Sequence, residues 1–237
     1  MDEKWVVEVK DLVQKVGRQT ILNHISFSVA RGECLGVFGL QGSGKTSLLH
    51  ILAGVNRFTA GQVEVLGCNI KKRAEFKKYT GLVTQERSLF QDLNAGENLD
   101  FMASLKGVSS LEIDRVAAWL KLQDYLRQPV GKLDAGIYQR LSLACALLGS
   151  PQLLIVDELV GNFDVYSVHL VIRVMKQYIA EGGTVIWGFS HIELCDYMTR
   201  VAWLSREKFE VLSPREARAR WDDLVKSVSK ASGDDDV

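Results

Sequence analysis

The segment Gly39–Thr46 has the glycine, lysine and hydroxyl spacing of a loop that binds phosphate groups. Its sequence, GLQGSGKT, fits the pattern G-x-x-x-x-G-K-[ST] and lies between an apolar run ending at Phe38 and a helical pattern starting near Thr46. Glycines let backbone N–H groups point at phosphate oxygens, and the N-terminus of the following helix adds partial positive charge. We expect Lys45 to reach the β- and γ-phosphates of a nucleotide and the Thr46 hydroxyl to bind Mg²⁺. The expected nucleotide contacts in this segment are Gly39, Leu40, Gln41, Gly42, Ser43, Gly44, Lys45, Thr46 and Ser47.

Two adjacent acids follow a second apolar run and offer a metal ligand and a catalytic base. The run Leu153–Val156 is typical of a central parallel strand, and Asp157 and Glu158 come directly after it. Without a phosphate loop, such acids would be interpreted as ordinary polar residues at the end of a strand. With one, they are expected at the same edge of the sheet, where Asp157 holds Mg²⁺ and Glu158 polarises an attacking water.

The elements that must position these groups are predicted to form an α/β core that is interrupted by helices. Short strand patterns open the chain, strands and helices alternate after Glu33, and the pattern is helical from about Glu97 to Gly149. The last residues read GDDDV. We expect a single domain over residues 1–228, with a helical subdomain at about 86–150, and a disordered acidic tail over 229–237.

Composition and charge exclude several classes of function for this chain of 237 residues. Lys+Arg and Asp+Glu are both 29, so the formal net charge is zero, which argues against nucleic acid as the main ligand. The four cysteines form no C-x-x-C pair and fit no zinc site, and free cysteines suggest a reducing compartment. No signal peptide and no apolar run of about 18 residues is apparent. A cytoplasmic protein is therefore expected.

The two motifs and the residues between them resemble the ATP-binding subunit of ABC transporters, over about Trp5 to Leu212. Further family motifs follow in order along the chain. They are a Q-loop glutamine, Gln85; a signature segment, Leu133–Ile137; a D-loop, Gly161–Asp164; and a switch histidine, His191. Single Gln, Asp and His residues are common on protein surfaces, but their joint order and spacing carry the resemblance.

The resemblance implies a fold, cofactors and partners. The fold is a P-loop NTPase core with an antiparallel β subdomain and an inserted helical subdomain. ATP and Mg²⁺ are the implied ligands, with Thr46, Gln85 and Asp157 at the metal and Lys45, Gln85, Glu158 and His191 acting on the γ-phosphate. The implied partners are transmembrane permease subunits and a second ATP-binding cassette, which place the chain on the inner face of the cell membrane. The finer match favours an exporter over an importer.

The chain departs from the family pattern at the signature and at the adenine contact. Asp134, Ala135 and Ile137 replace Ser, Gly and Gln or Met, and the serine normally donates a hydrogen bond to the γ-phosphate. Because Asp caps a helix as well as Ser does, the helix should still start there. Val16 occupies the position of an aromatic ring that stacks on adenine. Leu159 and Val160 replace the Pro and Thr that usually follow the glutamate.

Three interpretations of the altered signature remain open at this point. In a heterodimer, the phosphate loop of this chain would meet an intact signature from the partner, which gives one active site. In a homodimer, either both sites are impaired or the substitutions are tolerated with full activity. The alternative to an ATPase is a nucleotide-gated partner or regulatory protein that binds ATP and hydrolyses little of it.

Overall fold

A computed structural model describes residues 5–159, 165–205 and 208–231, and within them the chain forms two sheets flanked by helices. The strands are β1 (Trp5–Val16), β2 (Gln19–Ala30), β3 (Cys34–Phe38), β4 (Ala60–Val65), β5 (Cys68–Asn69), β6 (Thr80–Val83), β7 (Leu153–Asp157), β8 (Thr184–Phe189), β9 (Arg200–Leu204) and β10 (Phe209–Leu212). The helices are α1 (Lys45–Leu52), α2 (Ala95–Lys106), α3 (Ser110–Trp119), α4 (Ala135–Leu147), α5 (Val165–Ala180) and α6 (Pro214–Ala231).

The larger sheet carries the two adjacent acids and the phosphate loop at its carboxyl edge. Its order is β10-β9-β3-β8-β7-β6, and β9, β3, β8, β7 and β6 pair in parallel. Every residue of β3, β7 and β8 is buried, as their continuous apolar sequences predict for strands covered on both faces. Because β8 lies between β3 and β7, the helix that follows β3 has to cross β8 to reach Asp157.

The smaller sheet is antiparallel, in the order β2-β1-β4-β5, and packs against α1. Strands β1 and β2 are 12 residues each, much longer than the short runs that the sequence predicts. Pairing shifts register near Leu12, where Asp11 has a left-handed φ of 53°. Such a bulge places one unpaired residue in a strand, which breaks the alternating pattern on which the sequence prediction depended.

The helical insertion lies between β6 and β7, and its helices have clear start signals. At the start of α2, Asn94 and Glu97 form a reciprocal capping box, with both hydrogen bonds at 2.8 Å. Helix α4 is buried over most of its length and packs on β6, where Gly81 leaves room for the Ala146 carbonyl. The predicted arrangement of an α/β core, an antiparallel sheet and inserted helices is confirmed.

The end of the chain is more helical than the sequence predicts. Helix α6 runs to Ala231, so the predicted boundary at residue 229 is wrong by three residues. Residues 232–237, the D-loop segment and Val160 lie outside the described residues, and the predictions for them stay predictions. In the described part of the chain, no helix is both long and apolar enough to cross a bilayer.

Candidate functional site

The phosphate loop connects a fully buried strand to a helix whose N-terminus faces a cavity. Gly44 is the N-cap of α1 with φ +101°, a conformation that L side chains rarely adopt. A Cβ at this position would also lie 3.0 Å from Leu22 and 3.2 Å from Ile21. The spacing of the motif therefore predicts a glycine where both backbone conformation and space require one.

The amine of Lys45 lies inside the loop and is only 6% exposed as a residue. It donates hydrogen bonds to the carbonyls of Gly39 at 2.6 Å and Leu40 at 3.4 Å, and to the Ser190 hydroxyl at 3.1 Å. It also forms an ion pair with Glu158 Oε1 at 3.3 Å. The lysine, the predicted catalytic carboxylate and the loop backbone therefore meet at one point.

Asp157 is completely buried at the end of β7, and neither of its carboxylate oxygens has a hydrogen-bond partner among the described residues. Burial raises the pKa of this carboxyl above its ordinary value, although the nearby Thr46 hydroxyl and the charges of His50 and Lys45 lower it in part. Buried polar groups are nearly always partnered, so an unpartnered carboxylate beside a hydroxyl fits an oxygen-binding divalent cation. The structure thus brings Asp157 and the Thr46 hydroxyl together, and their role as Mg²⁺ ligands stays a prediction.

A cavity of about 800 Å³ collects most of the predicted site residues. Those that line it are Gln41, Gly42, Ser43, Gly44, Lys45, Thr46, Ser47, Gln85, Glu158 and His191. Gly39 and Leu40 do not line it but hold the Lys45 amine through their carbonyls. Ser190, which the sequence analysis missed, also lines the cavity, and its signal was its place directly before His191.

The predicted adenine contact is the part of the site that the structure does not bring together. Val16 is 62% exposed at the end of β1 and is not among the residues that line the cavity. Ile21, three residues into β2, lines the cavity instead and packs beside the Gly44 backbone. Of the two side chains of this hairpin, Ile21 is therefore the one that offers apolar surface to the cavity.

The signature segment starts α4 through its own side chain. Asp134 is the N-cap of α4, and its Oδ1 accepts a hydrogen bond from the Ile137 N–H at 2.8 Å. This confirms that the helix start survives the Ser to Asp replacement. Ala135 and Gln139 line the same cavity as the phosphate loop, and the Gln139 Oε1 is buried without a partner among the described residues.

The rest of α4 is held by hydrogen bonds from two residues, Lys106 and Leu89. The Lys106 amine, at the end of α2, donates to the carbonyls of Cys145, Ala146 and Leu148 at 3.2, 3.0 and 2.8 Å. These are carbonyls at the C-terminal end of α4, where a cation is favourable. Burial lowers the pKa of the Lys106 amine. Near the other end, the Tyr138 hydroxyl accepts from the Leu89 N–H at 3.0 Å, so α4 is tied to the segment after Gln85.

Comparison with known proteins gives consistent results. The sequence pattern of the ABC transporter family matches residues 22–161. The chain is 32% identical to the Nod factor export ATP-binding protein I of Rhizobium sp. (strain N33), over 81% of this chain and 66% of that protein. It is 32% identical to the bacitracin transport ATP-binding protein BcrA of Bacillus licheniformis, over 79% of this chain and 62% of that protein. The chain thus spans somewhat less than two thirds of these relatives.

Solved structures show the same fold at lower sequence identity. A structure described as the ATP-binding subunit of an ABC transporter superimposes with a TM-score of 0.82 at 22% identity, over 92% of this chain and 93% of that one. A structure of cbiO1 from Clostridium perfringens superimposes with a TM-score of 0.80 at 20% identity, covering 94% of both chains. At this identity the likeness concerns the fold.

Proposed function

The chain belongs to the ABC transporter family, and on that premise we propose that it is the ATP-binding subunit of a membrane exporter, coupling ATP binding and hydrolysis to transport. The observation that carries the proposal is the convergence of Lys45 and Glu158 in one cavity beside the unpartnered carboxylate of Asp157. A lysine, a base and a metal ligand are the groups that phosphoryl transfer to water requires.

In this mechanism each residue has a separate task. The loop backbone and Lys45 bind the phosphates, for which the amine exchanges its carbonyl and Glu158 contacts for phosphate oxygens. Thr46 and Asp157, with Gln85 at the rim, would hold Mg²⁺, which neutralises phosphate charge when it is bound. Glu158 orients a water or takes its proton for in-line attack on the γ-phosphate. His191, which lies exposed at the cavity, stabilises the charge together with Lys45.

Export is favoured over import by a similar protein whose name states a direction, Nod factor export. A further relative of Bacillus subtilis, 30% identical, is named for linearmycin resistance, which states no direction. Both names concern those proteins, and the substrate is carried by other subunits in this family. The direction therefore depends on the partner with which this chain assembles.

A groove in the helical insertion suits the docking of a permease segment. It is a cavity of about 730 Å³ between the sheet-edge strand β6 and helix α2, and Leu89, close after Gln85, lines it. Leu105, 71% exposed, also lines it. Beside it the exposed rings of Phe90 and Phe101 contact each other, with centroids 4.9 Å apart. Exposed apolar surface of this kind marks an interaction site, and docking there would bring the chain to the inner face of the membrane.

A charge substitution in the groove tests this docking. Leu105→Glu should prevent co-purification of permease subunits with the chain, because it places a carboxylate in an apolar contact. Leu111→Glu is the matched control, since Leu111 is 75% exposed on α3 and does not line the groove. Equal recovery of permease with both variants would contradict the assignment.

A second cassette is the other proposed partner, and a heterodimer is favoured over a homodimer. Asp134 uses its carboxylate oxygen to cap α4, where the family has a serine that contacts the γ-phosphate across the dimer. In a homodimer both sites would receive this altered signature. In a heterodimer, the phosphate-loop half of this chain would meet an intact signature from its partner.

The same observation favours a second candidate function, a nucleotide-gated partner that binds ATP and hydrolyses little. Single-turnover hydrolysis by the purified chain, with and without a partner cassette, separates the two. Turnover that appears with the partner supports the exporter subunit. Tight ATP binding without turnover in either case supports the nucleotide-gated partner, and no nucleotide binding would contradict both.

A further inference from the structure

We propose that Ser190 is a positioning residue that holds the Glu158 carboxylate in its working orientation; the proposal rests on the proposed ATPase function. The Ser190 hydroxyl donates a short hydrogen bond to Glu158 Oε1 and accepts one from the Lys45 amine at 3.1 Å. No motif that was singled out in the sequence includes this serine. Its role follows from the three side chains that meet at the cavity.

The direction of the Ser190 hydrogen bond is fixed by its neighbours. A hydroxyl carries one proton and can accept at the same oxygen. Because the Lys45 ammonium is a pure donor, Ser190 must accept from it, which leaves the hydroxyl proton for Glu158. The carboxylate oxygen that accepts this hydrogen bond, Oε1, also forms the ion pair with Lys45.

The backbone of Glu158 is held by the same segment. Its φ of 50° lies in the left-handed region, which a residue with a side chain adopts only where the surroundings impose it. Its N–H donates to the Gly188 carbonyl at 3.0 Å, two residues before Ser190. The segment from Gly188 to Ser190 therefore fixes both the main chain and the side chain of Glu158, and it continues directly into His191.

Ser190 matters most for the orientation of Glu158 once Lys45 contacts a bound phosphate. Among the described residues, the contacts of the Glu158 carboxylate are those with Lys45 and Ser190. Once Lys45 turns to a phosphate, Ser190 is the contact that remains to direct the carboxylate toward water. Loss of a hydrogen bond to a charged group corresponds to roughly 10- to 100-fold in rate.

The experiment compares Ser190→Ala, Ser190→Thr and the control Ser227→Ala, whose hydroxyl donates to the Leu224 carbonyl on the exposed face of α6. The protein is the form that hydrolyses ATP, either the complex with a second cassette or the variant with Asp134→Ser and Ala135→Gly. We expect kcat to fall about 10- to 100-fold in Ser190→Ala, and to recover substantially in Ser190→Thr, which keeps the hydroxyl. ATP affinity should not weaken, since the change removes a competing acceptor for Lys45 and no phosphate contact.

Each other result has a defined meaning. An unchanged kcat in Ser190→Ala, or equal losses in Ser190→Ala and Ser190→Thr with normal ATP binding, overturns the positioning role and leaves the ATPase function intact. A loss of ATP binding in Ser190→Ala that matches its loss of kcat overturns it as well, because a fold defect would explain both. No turnover in any form of the unmodified site overturns the ATPase function and the positioning role together.

Discussion

The carboxyl edge of the parallel sheet and the N-terminus of α4 both line one cavity, but their polar groups are committed differently. At the sheet edge, the Lys45 amine has exchangeable carbonyl and carboxylate partners, and Asp157 has no partner among the described residues. At the start of α4, the Asp134 carboxylate is occupied by the Ile137 N–H of its own helix. The first region keeps its groups available for a ligand, whereas the second uses its group for folding.

In the proposed cassette dimer, this difference would let one sequence position retain its structural role and lose its contact with the nucleotide. A serine at an N-cap offers an oxygen to the helix and a proton to a ligand, whereas an ionised Asp offers oxygens and no proton. The Ser to Asp replacement is therefore neutral for the start of α4. In the proposed dimer it would be unfavourable for a γ-phosphate, because a second negative charge nearby adds repulsion.

The largest expected effects separate two groups of the sheet edge. Glu158→Gln should reduce kcat by about 100- to 10,000-fold, since it removes the base, while ATP binding persists. Lys45→Ala should weaken ATP binding by about 10- to 100-fold, because a charged hydrogen-bond donor to the phosphates is lost. Calorimetric titration and steady-state kinetics measure the two effects. Equal losses of binding in both variants would contradict the assignment of separate roles.

A smaller effect is expected when the signature segment regains side chains that can contact a ligand. Asp134→Ser combined with Ala135→Gly should raise the turnover of the chain alone by about 10- to 100-fold, because a donor to the γ-phosphate returns. Asp134→Asn is the matched control, since it keeps the cap and removes the charge. Strong activity of the unmodified homodimer that the double variant leaves unchanged would refute the heterodimer.

The buried, unpartnered carboxylate of Asp157 should lower the free energy of unfolding at neutral pH. Because burial raises the pKa of its carboxyl, the folded state binds a proton more readily than the unfolded state. The free energy of unfolding from this group therefore falls as the pH rises above about 4, the ordinary Asp value. Asp157→Asn should raise it by roughly 1–3 kcal/mol at neutral pH, measured by denaturant titration without Mg²⁺ or nucleotide.

The control for that measurement is the same titration at pH 3.5, where the unmodified carboxyl is protonated and the difference between variant and parent should shrink. A difference that stays constant with pH would mean that the amide acts by packing and that the buried charge costs nothing. Mg²⁺ added in the presence of ATP should stabilise the parent more than the variant, which would place the metal at this carboxylate.

The smallest effect concerns the adenine side of the cavity. Val16→Tyr should tighten ATP binding by at most about 1–2 kcal/mol, because an aromatic ring at the end of the β1–β2 hairpin reaches further than valine. Ile21→Ala should weaken binding, since Ile21 lines the cavity. If the titration shows no change for Val16→Tyr and a clear loss for Ile21→Ala, the base lies against Ile21 and the predicted contact at Val16 is wrong.

The sequence predicts those features of the site that depend on local spacing. The phosphate loop, the two acids after Val156 and the capping role of Asp134 each follow from a few adjacent residues. The structure brings Lys45 and Glu158 to one cavity and shows the Asp134 cap. The family fold follows from the order of such motifs along the chain. Local rules suffice here because each motif contains its own turn, cap or strand end.

Features that depend on contacts between distant segments were not predicted. Ser190 contacts Glu158 from 32 residues away, and Lys106 contacts α4 from about 40 residues away. The exposure of Val16 depends on where a 12-residue strand ends, and a bulge near Asp11 changes that count. Each contact is set by how sheets and helices pack against one another, which a single sequence does not encode in any short window.

The three hydrogen bonds from Lys106 to the end of α4 also have a mechanical consequence. Helix α4 has 13 residues and is about 20 Å long. Lys106 is hydrogen-bonded to its C-terminal end, and Asp134 and Ala135 lie at its N-terminal end. Lys106 itself lines the groove between β6 and α2. If an occupant of that groove displaced α2, α4 would therefore move as a rigid unit, and its N-terminus at the rim of the nucleotide cavity would move with it. A displacement of that N-terminus would move α2 in the same way.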